Sequence, residues 1–586
     1  MPDLGPLLSR WLLDLVDVVG GGVLGLLGVL AGWYFAVWDA GVQAWTPPTL
    51  AAYLAGPRGH VLASALVGLV VFVGLRVWLE GRRRAWAQRG RGARADGPRP
   101  RAARWATRQD LRPLLAKRPP AQGLLLGREG KLWVAVQPTP ARRELAHALV
   151  VAPSRAGKGL LGISQLLTWE GSALVNDLKG ELFEATAGYR SRFSRIVVID
   201  PRGLGQRFDP LAGRTSEDEC LAAAVAMLDA ASARGDASDF VLRASTMLAA
   251  LFRAAVLEDV PALLYARQAV RHDLLTVAQR LRDLDPALAV QFLAADPESK
   301  WQDDRFLRST WGTLVTRLAP LVTEAAVRTF SGSDFHPSEL YTSAQPVTVY
   351  LRWPERNLDA LAPLVRLVWD TLLGEMIAWW AAATPAARAK AWPVLGLVDE
   401  AARTAIPAIP EYMATVAGYG ISVWVAVQSL GQLETCYGQA RAATIRDNAD
   451  AHLYYRQRDV DTAEALSRRT GPLLVQGRHN GRSAGTGTTA TASWSEGYTE
   501  REQPLLLPHE VLQLDAEHVI AFAGGTPPAR LRRIDWRSDP ELRRLAHQPP
   551  PAVPAIPAIP LAEWPAPAAP PDGAAAASAA TTSLDD

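Results

Sequence analysis

The sequence predicts an α/β chain built on a parallel sheet, interrupted by an all-α stretch and preceded by a two-helix transmembrane anchor. Three observations carry that expectation. Two long uncharged runs lie within the first 80 residues, an apolar run opens into Ala156-Gly157-Lys158-Gly159 and then a helical pattern, and a later apolar run ends in Asp399-Glu400. At 586 residues the chain exceeds one ordinary hydrophobic core, and 49% apolar with 21% charged residues is a globular composition. Cys220 and Cys436 lie too far apart for a disulfide framework or a metal-ligand spacing, which fits a reducing compartment.

The anchor comes first in the chain. Val18–Trp38 runs 21 residues without a charge. About 20 apolar residues at a rise of ~1.5 Å cross the roughly 30 Å hydrocarbon core. Val61–Leu75 adds 15 uncharged residues, and Arg76 can snorkel so that this span reaches Leu79. Trp33, Tyr34, Trp38, Trp78 and Trp86 stand near the expected interfaces. A cleaved signal peptide fits poorly, because Asp14 and Asp17 precede the first run and no A-x-A exit is evident. A buried core helix is the alternative for the second run, and two spans are the favoured reading. From Arg76 to Arg108 there are 11 arginines against Glu80 and Asp96, whereas Asp39 to His60 carries only Arg58. Positive charge stays inside, so both termini are expected in the cytoplasm, with a two-pass anchor between them. Without that basic stretch 51 basic residues face 57 acidic ones, so the overall +3 is a juxtamembrane property suited to anionic lipid.

Gly123–Val136 reads as two strands around a polar turn. His147–Gly159 then runs from an apolar strand into a tight loop and a helix. A phosphate-binding loop needs that context: backbone N–H groups and the helix N-terminus face the phosphates, and Lys158 reaches the β/γ oxygens. The loop residues are Pro153, Ser154, Arg155, Ala156, Gly157, Lys158 and Gly159. Ala152 replaces the first glycine of the strict pattern, and Gly159 replaces the hydroxyl that ordinarily ligates Mg²⁺. Alone, AGKG is a weak signal. Val394–Val398 followed by Asp399 and Glu400 strengthens it, because an acid at a strand's carboxyl end holds Mg²⁺ and a following Glu orients the attacking water. Asp399 is thus the candidate metal ligand. A third strand, Ile421–Val427, ends at Gln428, which is placed to sense the γ-phosphate through a water. ATP and Mg²⁺ are the expected ligands.

In this order the motifs resemble those of the TraG-like coupling proteins of type IV secretion and conjugation systems. The likeness runs from about Ala103 to Trp536. It includes ARWAT at Ala103–Thr107, APSRAGKG with its glycine after the lysine, and GSALVNDLKGELFEATAGYR at Gly171–Arg190. It continues through VDE at Val398–Glu400, AGYGI at Ala417–Ile421, QSLGQL at Gln428–Leu433 and QPLLLPHEVLQL at Gln503–Leu514. The resemblance implies a RecA-like P-loop motor domain, a hexamer on the inner membrane, and ATP-driven delivery of substrate to a secretion channel. Expected partners are channel components, inner-membrane lipid, and a DNA–relaxase complex or effector proteins. Asp177, Lys179 and Glu181 match the family's D-x-K-G-E element. Asp177 reads equally well as lining the nucleotide edge and as capping a helix with Glu181 in its first turn.

The expected partition is a transmembrane hairpin at 1–80, a basic linker at 81–120, the RecA-like nucleotide-binding domain at 121–210 and 341–545, an all-α insertion at 211–340 and a disordered Pro/Ala-rich tail at 546–586. Within the insertion, Trp301, Arg305, Arg308, Trp311 and Arg317 interleave rings and charges. A core-facing tryptophan stripe is the favoured reading over a single-strand DNA surface. Gly477–Gly497, rich in Gly, Ser and Thr, reads as a flexible loop or a long hairpin tip. Arg403, Arg441, Arg446 and Arg458 are all candidates for a trans-acting arginine. Two other functional readings stay open: a receptor that binds nucleotide without hydrolysing it, and a chromosome-segregation translocase of the FtsK type. The latter predicts more membrane spans and a C-terminal winged helix.

Overall fold

The computed structural model describes residues 103–138, 145–228, 239–293, 304–404, 406, 408–484 and 492–559. Both expected membrane spans lie outside the described residues.

The strands that order the molecule are short apolar runs rich in Val, Ile and Leu. They are β1 (Leu115–Ala116), β2 (Leu124–Glu129), β3 (Leu132–Val136), β4 (Ala148–Val151), β5 (Ser172–Asp177), β6 (Arg195–Asp200), β7 (Leu204–Gly205), β8 (Val347–Arg352), β9 (Val394–Val398), β10 (Ile421–Val427), β11 (Ala451–Tyr454), β14 (His518–Ala523) and β15 (Ala529–Arg532). They form one 13-stranded sheet in the order β1-β3-β2-β15-β14-β11-β4-β10-β9-β5-β8-β6-β7. From β11 to β6 every pairing is parallel. Antiparallel strands extend it on both sides. A parallel sheet is covered on both faces, which explains why β4, β9 and β10 are apolar at successive positions. Alternate residues join opposite cores: Leu149 and Val151 pack on one face, Ala148 and Val150 on the other.

The second face carries the helices Lys158–Thr168, Glu181–Arg190 and Pro540–Ala546, through residues such as Leu161, Leu166, Phe183 and Leu542. On the first lie the long helix Leu358–Ala382 and the helical block between β7 and β8. The fold is therefore mixed α/β with a helical insertion. At the centre of that insertion, helix Asp239–Leu257 packs on Glu217–Leu228, Pro286–Leu293 and Arg305–Leu318. Its stretch Phe240–Leu257 is long and apolar enough to cross a membrane. Met247, Leu248, Ala250 and Leu251 are fully buried against neighbouring helices, so here that composition makes a core helix. Trp311 is buried edge-on against Phe292, and Arg317 donates to the carbonyl of Leu228 at 2.9 Å; Trp301 lies outside the described residues.

The described parts of Gly477–Gly497 lie in a separate pair of strands, β12 (Pro472–Ala484) and β13 (Ala492–Pro504), in register from Pro472↔Pro504 to Ala484↔Ala492; 485–491 lie outside the described residues. The expectation of a disordered tail from residue 546 is corrected over its first part. Gly205 donates to the carbonyl of Pro554 and Ile556 to that of Gly203, both at 2.8 Å, and Leu204 bridges Ala555. The sheet edge at β7 offers unpaired backbone groups, and an extended Pro-rich segment satisfies them. Gly188 admits this segment, because a Cβ there would stand 2.2 Å from the carbonyl oxygen of Gln548.

Candidate nucleotide site

The parallel order brings the carboxyl ends of β4, β10, β9, β5 and β8 to one edge, where ligands of open α/β sheets bind. β4 ends in the buried Ala152, whose N–H donates to the carbonyl of Val427 at 2.9 Å and so ties the loop to β10. The chain turns through Pro153 to Gly157, closed by Ala156 N–H to Pro153 O at 3.0 Å. Arg155 and Gly157 both take positive φ, 65° and 116°. Helix Lys158–Thr168 follows directly, with its first N–H groups at the turn. At Gly159 a Cβ would meet only Glu181 Oε2, at 3.9 Å, so the mouth of the loop is open.

Lys158 turns toward the second motif. Its ammonium pairs with Glu400 and lies 3.6 Å from Asp399 Oδ1. Burial lowers its pKa, with Asp399 opposing. Glu400 sits at φ 58°, a left-handed conformation that costs a non-glycine residue roughly 1–3 kcal/mol. That turn sends its carboxylate between Lys158 and Gln428, whose Nε2 donates to Glu400 Oε1 at 2.7 Å. Lys158, Asp399, Glu400 and Gln428, from three different segments, thus meet at one point.

Asp399 Oδ1 is buried and accepts no hydrogen bond within 3.5 Å, its charged neighbour being the Lys158 ammonium at 3.6 Å. Such a carboxylate oxygen beside a phosphate loop suits a hard divalent cation such as Mg²⁺, which takes one or two protein carboxylates and completes its shell with phosphates and water. Among the described residues no group of three or more His, Cys, Asp or Glu side chains could hold a metal.

Asp177 ends β5, and Gly180 rather than Asp177 is the N-cap of helix Glu181–Arg190. Asp177 Oδ1 accepts from Gly180 N–H and its Oδ2 from Phe183 N–H, each at 2.8 Å, which fixes the entry into helix Glu181–Arg190. It is also at the nucleotide edge: burial raises its pKa to about 6, and the charge of Asp399 pushes the same way. Arg190, at the other end of that helix, carries no catalytic signal in sequence. It is fully buried and donates to the carbonyls of Leu166, Trp169 and Gly171 and to Thr348 Oγ1 at 2.6–2.9 Å. The guanidinium thereby closes the C-terminus of the phosphate-loop helix onto the start of β5. Asn176 also escaped the sequence reading; its amide reaches the Asp399 carbonyl at 3.4 Å, a contact visible only once β5 and β9 are paired.

Of the candidate arginines, Arg403 pairs with Glu355, Arg441 with Glu411 and Arg446 with Glu434, at 2.7–2.9 Å. Arg458 is exposed just beyond β11.

Comparison with known proteins places this geometry. The bacterial conjugative coupling protein TrwBdeltaN70, in its unbound monoclinic form, superposes with a TM-score of 0.56 at 16% identity, covering 75% of this chain and 95% of that one. The plasmid coupling protein TrwB in complex with ADP and Mg²⁺ gives 0.54 over 74% and 95%. These likenesses show the fold. Protein VirD4 of Rhizobium rhizogenes is 27% identical over 467 residues, 76% of this chain and 66% of that protein. The conjugal transfer protein TraG of Escherichia coli is 25% identical over 508 residues, 77% and 78% of the two chains. The chain spans 66% and 60% of the length of two VirD4 relatives it matches. The family described as "T4SS-DNA_transf: Type IV secretory system Conjugative DNA transfer" matches residues 104–286 and 298–557, and the chain belongs to that family.

Proposed function

We propose that the chain is an inner-membrane ATP hydrolase that recruits DNA, a nucleoprotein or an effector protein and delivers it to a type IV secretion channel. One observation carries the enzymatic half: the phosphate-loop lysine, the two carboxylates and the glutamine lie within a hydrogen bond or an ion pair of one another at the carboxyl edge of the sheet. The family match supports the delivery half. Structures of TrwB with ADP and Mg²⁺ and with a non-hydrolysable ATP analogue support ATP as the nucleotide.

The residues divide the work. Backbone N–H groups from Ser154 to Gly159 and the helix N-terminus hold the phosphates, and Lys158 exchanges its carboxylate partners for β/γ oxygens. Asp399, whose Oδ1 accepts no hydrogen bond, would hold Mg²⁺, and the ion would supply positive charge to the phosphates. Glu400, released from Lys158, orients the attacking water, and Gln428 keeps its carboxylate aimed. The segments Val18–Trp38 and Val61–Leu79 anchor the motor with both termini in the cytoplasm. A homo-hexamer would supply the trans-acting arginine, for which the exposed Arg458 is the best placed of the candidates.

Turnover of ATP by the full-length protein in detergent tests the reading. Lys158→Ala is expected to lose nucleotide binding and turnover together. Glu400→Gln should keep binding while turnover falls about 100- to 1,000-fold. Binding without any turnover in the unaltered protein would replace the motor with a nucleotide-binding receptor.

A further inference from the structure

Opposite the carboxylates the phosphate loop has a second wall, made by the end of β11 and the residues after β15. Tyr455 N–H donates to Val151 O at 3.0 Å, which fixes the Tyr455 ring beside the loop. A Cβ placed on Gly157 would stand 3.4 Å from Tyr455 Cε1 and 3.4 Å from Arg533 Nη1. The Arg533 guanidinium therefore lies over the positive-φ glycine of the loop.

Arg533 is held firmly, and by one side only. Its N–H donates to Glu517 O at 2.8 Å. Its Nη2 donates to Glu517 Oε1 at 2.8 Å and lies 3.9 Å from Asp535 Oδ2. Both carboxylates act on that one nitrogen. Nε is buried without an acceptor, and Nη1 faces Gly157. The side chain as a whole is 14% exposed. A guanidinium oriented by two carboxylates, with a buried donor left without an acceptor, marks a place where an anion belongs.

We infer that Arg533 is a second cation for the same nucleotide, its Nη1 donating to a non-bridging phosphate oxygen of a nucleoside di- or triphosphate seated on the amides around Gly157. Glu517 and Asp535 aim the guanidinium from behind. The inference rests on the proposed nucleotide site and adds a wall to it that lies outside the motifs.

Calorimetric titration of the full-length protein in detergent with Mg²⁺-ADP and with a non-hydrolysable ATP analogue tests it, alongside melting without nucleotide. Arg533→Gln should weaken both ligands about 10- to 100-fold, the worth of a charge-assisted hydrogen bond. The melting temperature without nucleotide should stay within about 2 °C. Affinity unchanged in Arg533→Gln but lost in Lys158→Ala overturns the second cation and leaves the nucleotide site standing. Affinity unchanged in both overturns the two together. Should Arg533→Gln unfold, Arg533→Lys decides. It keeps a charge beside Glu517 and loses the fork, so affinity falls roughly 3- to 10-fold if Arg533 touches phosphate and holds if it only braces the wall.

Discussion

The two ends of β5 carry polar clusters of opposite character. At its start, Arg190 is fully buried and spends its guanidinium on three carbonyls and the Thr348 hydroxyl, which also pairs with Ser194 Oγ at 2.7 Å. Past its far end, Lys158, Asp399 and Glu400 hold charge at the edge of solvent, with a positive-φ Glu400 and an Asp399 oxygen that accepts no hydrogen bond. Both clusters pull a cation among oxygens. The first has its geometry complete within the chain; the second is held in a strained arrangement whose partners can be exchanged. A structural polar cluster is recognised by satisfaction, a working one by what it leaves over.

Removing Arg190 should break the first cluster with the largest effect. Arg190→Ala leaves the carbonyls of Leu166, Trp169 and Gly171 buried without donors, at a cost of about 3–5 kcal/mol. Denaturant unfolding should show that loss, and Arg190→Lys should recover little of it, since an ammonium cannot span the fork. If Arg190→Ala kept full stability and lost only turnover, the division between the two ends of β5 would be wrong.

A smaller effect sharpens the other side. Gln428→Ala removes the 2.7 Å hydrogen bond to Glu400 without touching the loop. Single-turnover kinetics should show hydrolysis slowed about tenfold, some 1.4 kcal/mol, with nucleotide affinity nearly unchanged. A change confined to affinity would instead make Gln428 a ligand contact.

How much of this was legible in the sequence depends on how local each signal is. β4, β9 and β10 read clearly because their apolar runs stop at polar residues, and a parallel sheet gathers those stops at one edge. The proximity of Lys158, Glu400 and Gln428 follows from that alone. Arg190 was visible only as part of a family pattern, because an arginine that caps a helix looks in sequence like any solvated one. Arg533 and Tyr455 gave no signal: Tyr455 reaches Gly157 from the end of β11 beside β4, and Arg533 through the antiparallel extension of the sheet, an order that cannot be read from spacing. The stretch Gln548–Ile559 misled by composition. Proline-rich sequence lacks the donors to enter a sheet interior, yet it pairs well along an edge such as β7.

Asp177 joins the two clusters and gives the finest test of the difference between them. It fixes the entry into helix Glu181–Arg190 as a structural residue, yet burial and Asp399 hold its carboxyl at about 6, above the ordinary range. A folded-state pKa raised above the unfolded value of about 3.9 means the folded chain takes up the proton first. Its contribution to stability is fully present below about pH 4 and is lost as pH rises through 6, at most about 3 kcal/mol for two units. His147 and His452, which burial lowers to about 4, act with the opposite sign over the same window. They do so equally in any Asp177 variant and cancel in a difference. Asp177→Asn keeps one accepting oxygen and cannot ionise, so relative to the unaltered protein it should be less stable at pH 4.5 and gain steadily toward pH 7. Unfolding measured without nucleotide, in a chelating buffer, gives that difference directly. A difference flat across the range would place Asp177 wholly with Arg190, as an acceptor whose charge the fold tolerates without strain.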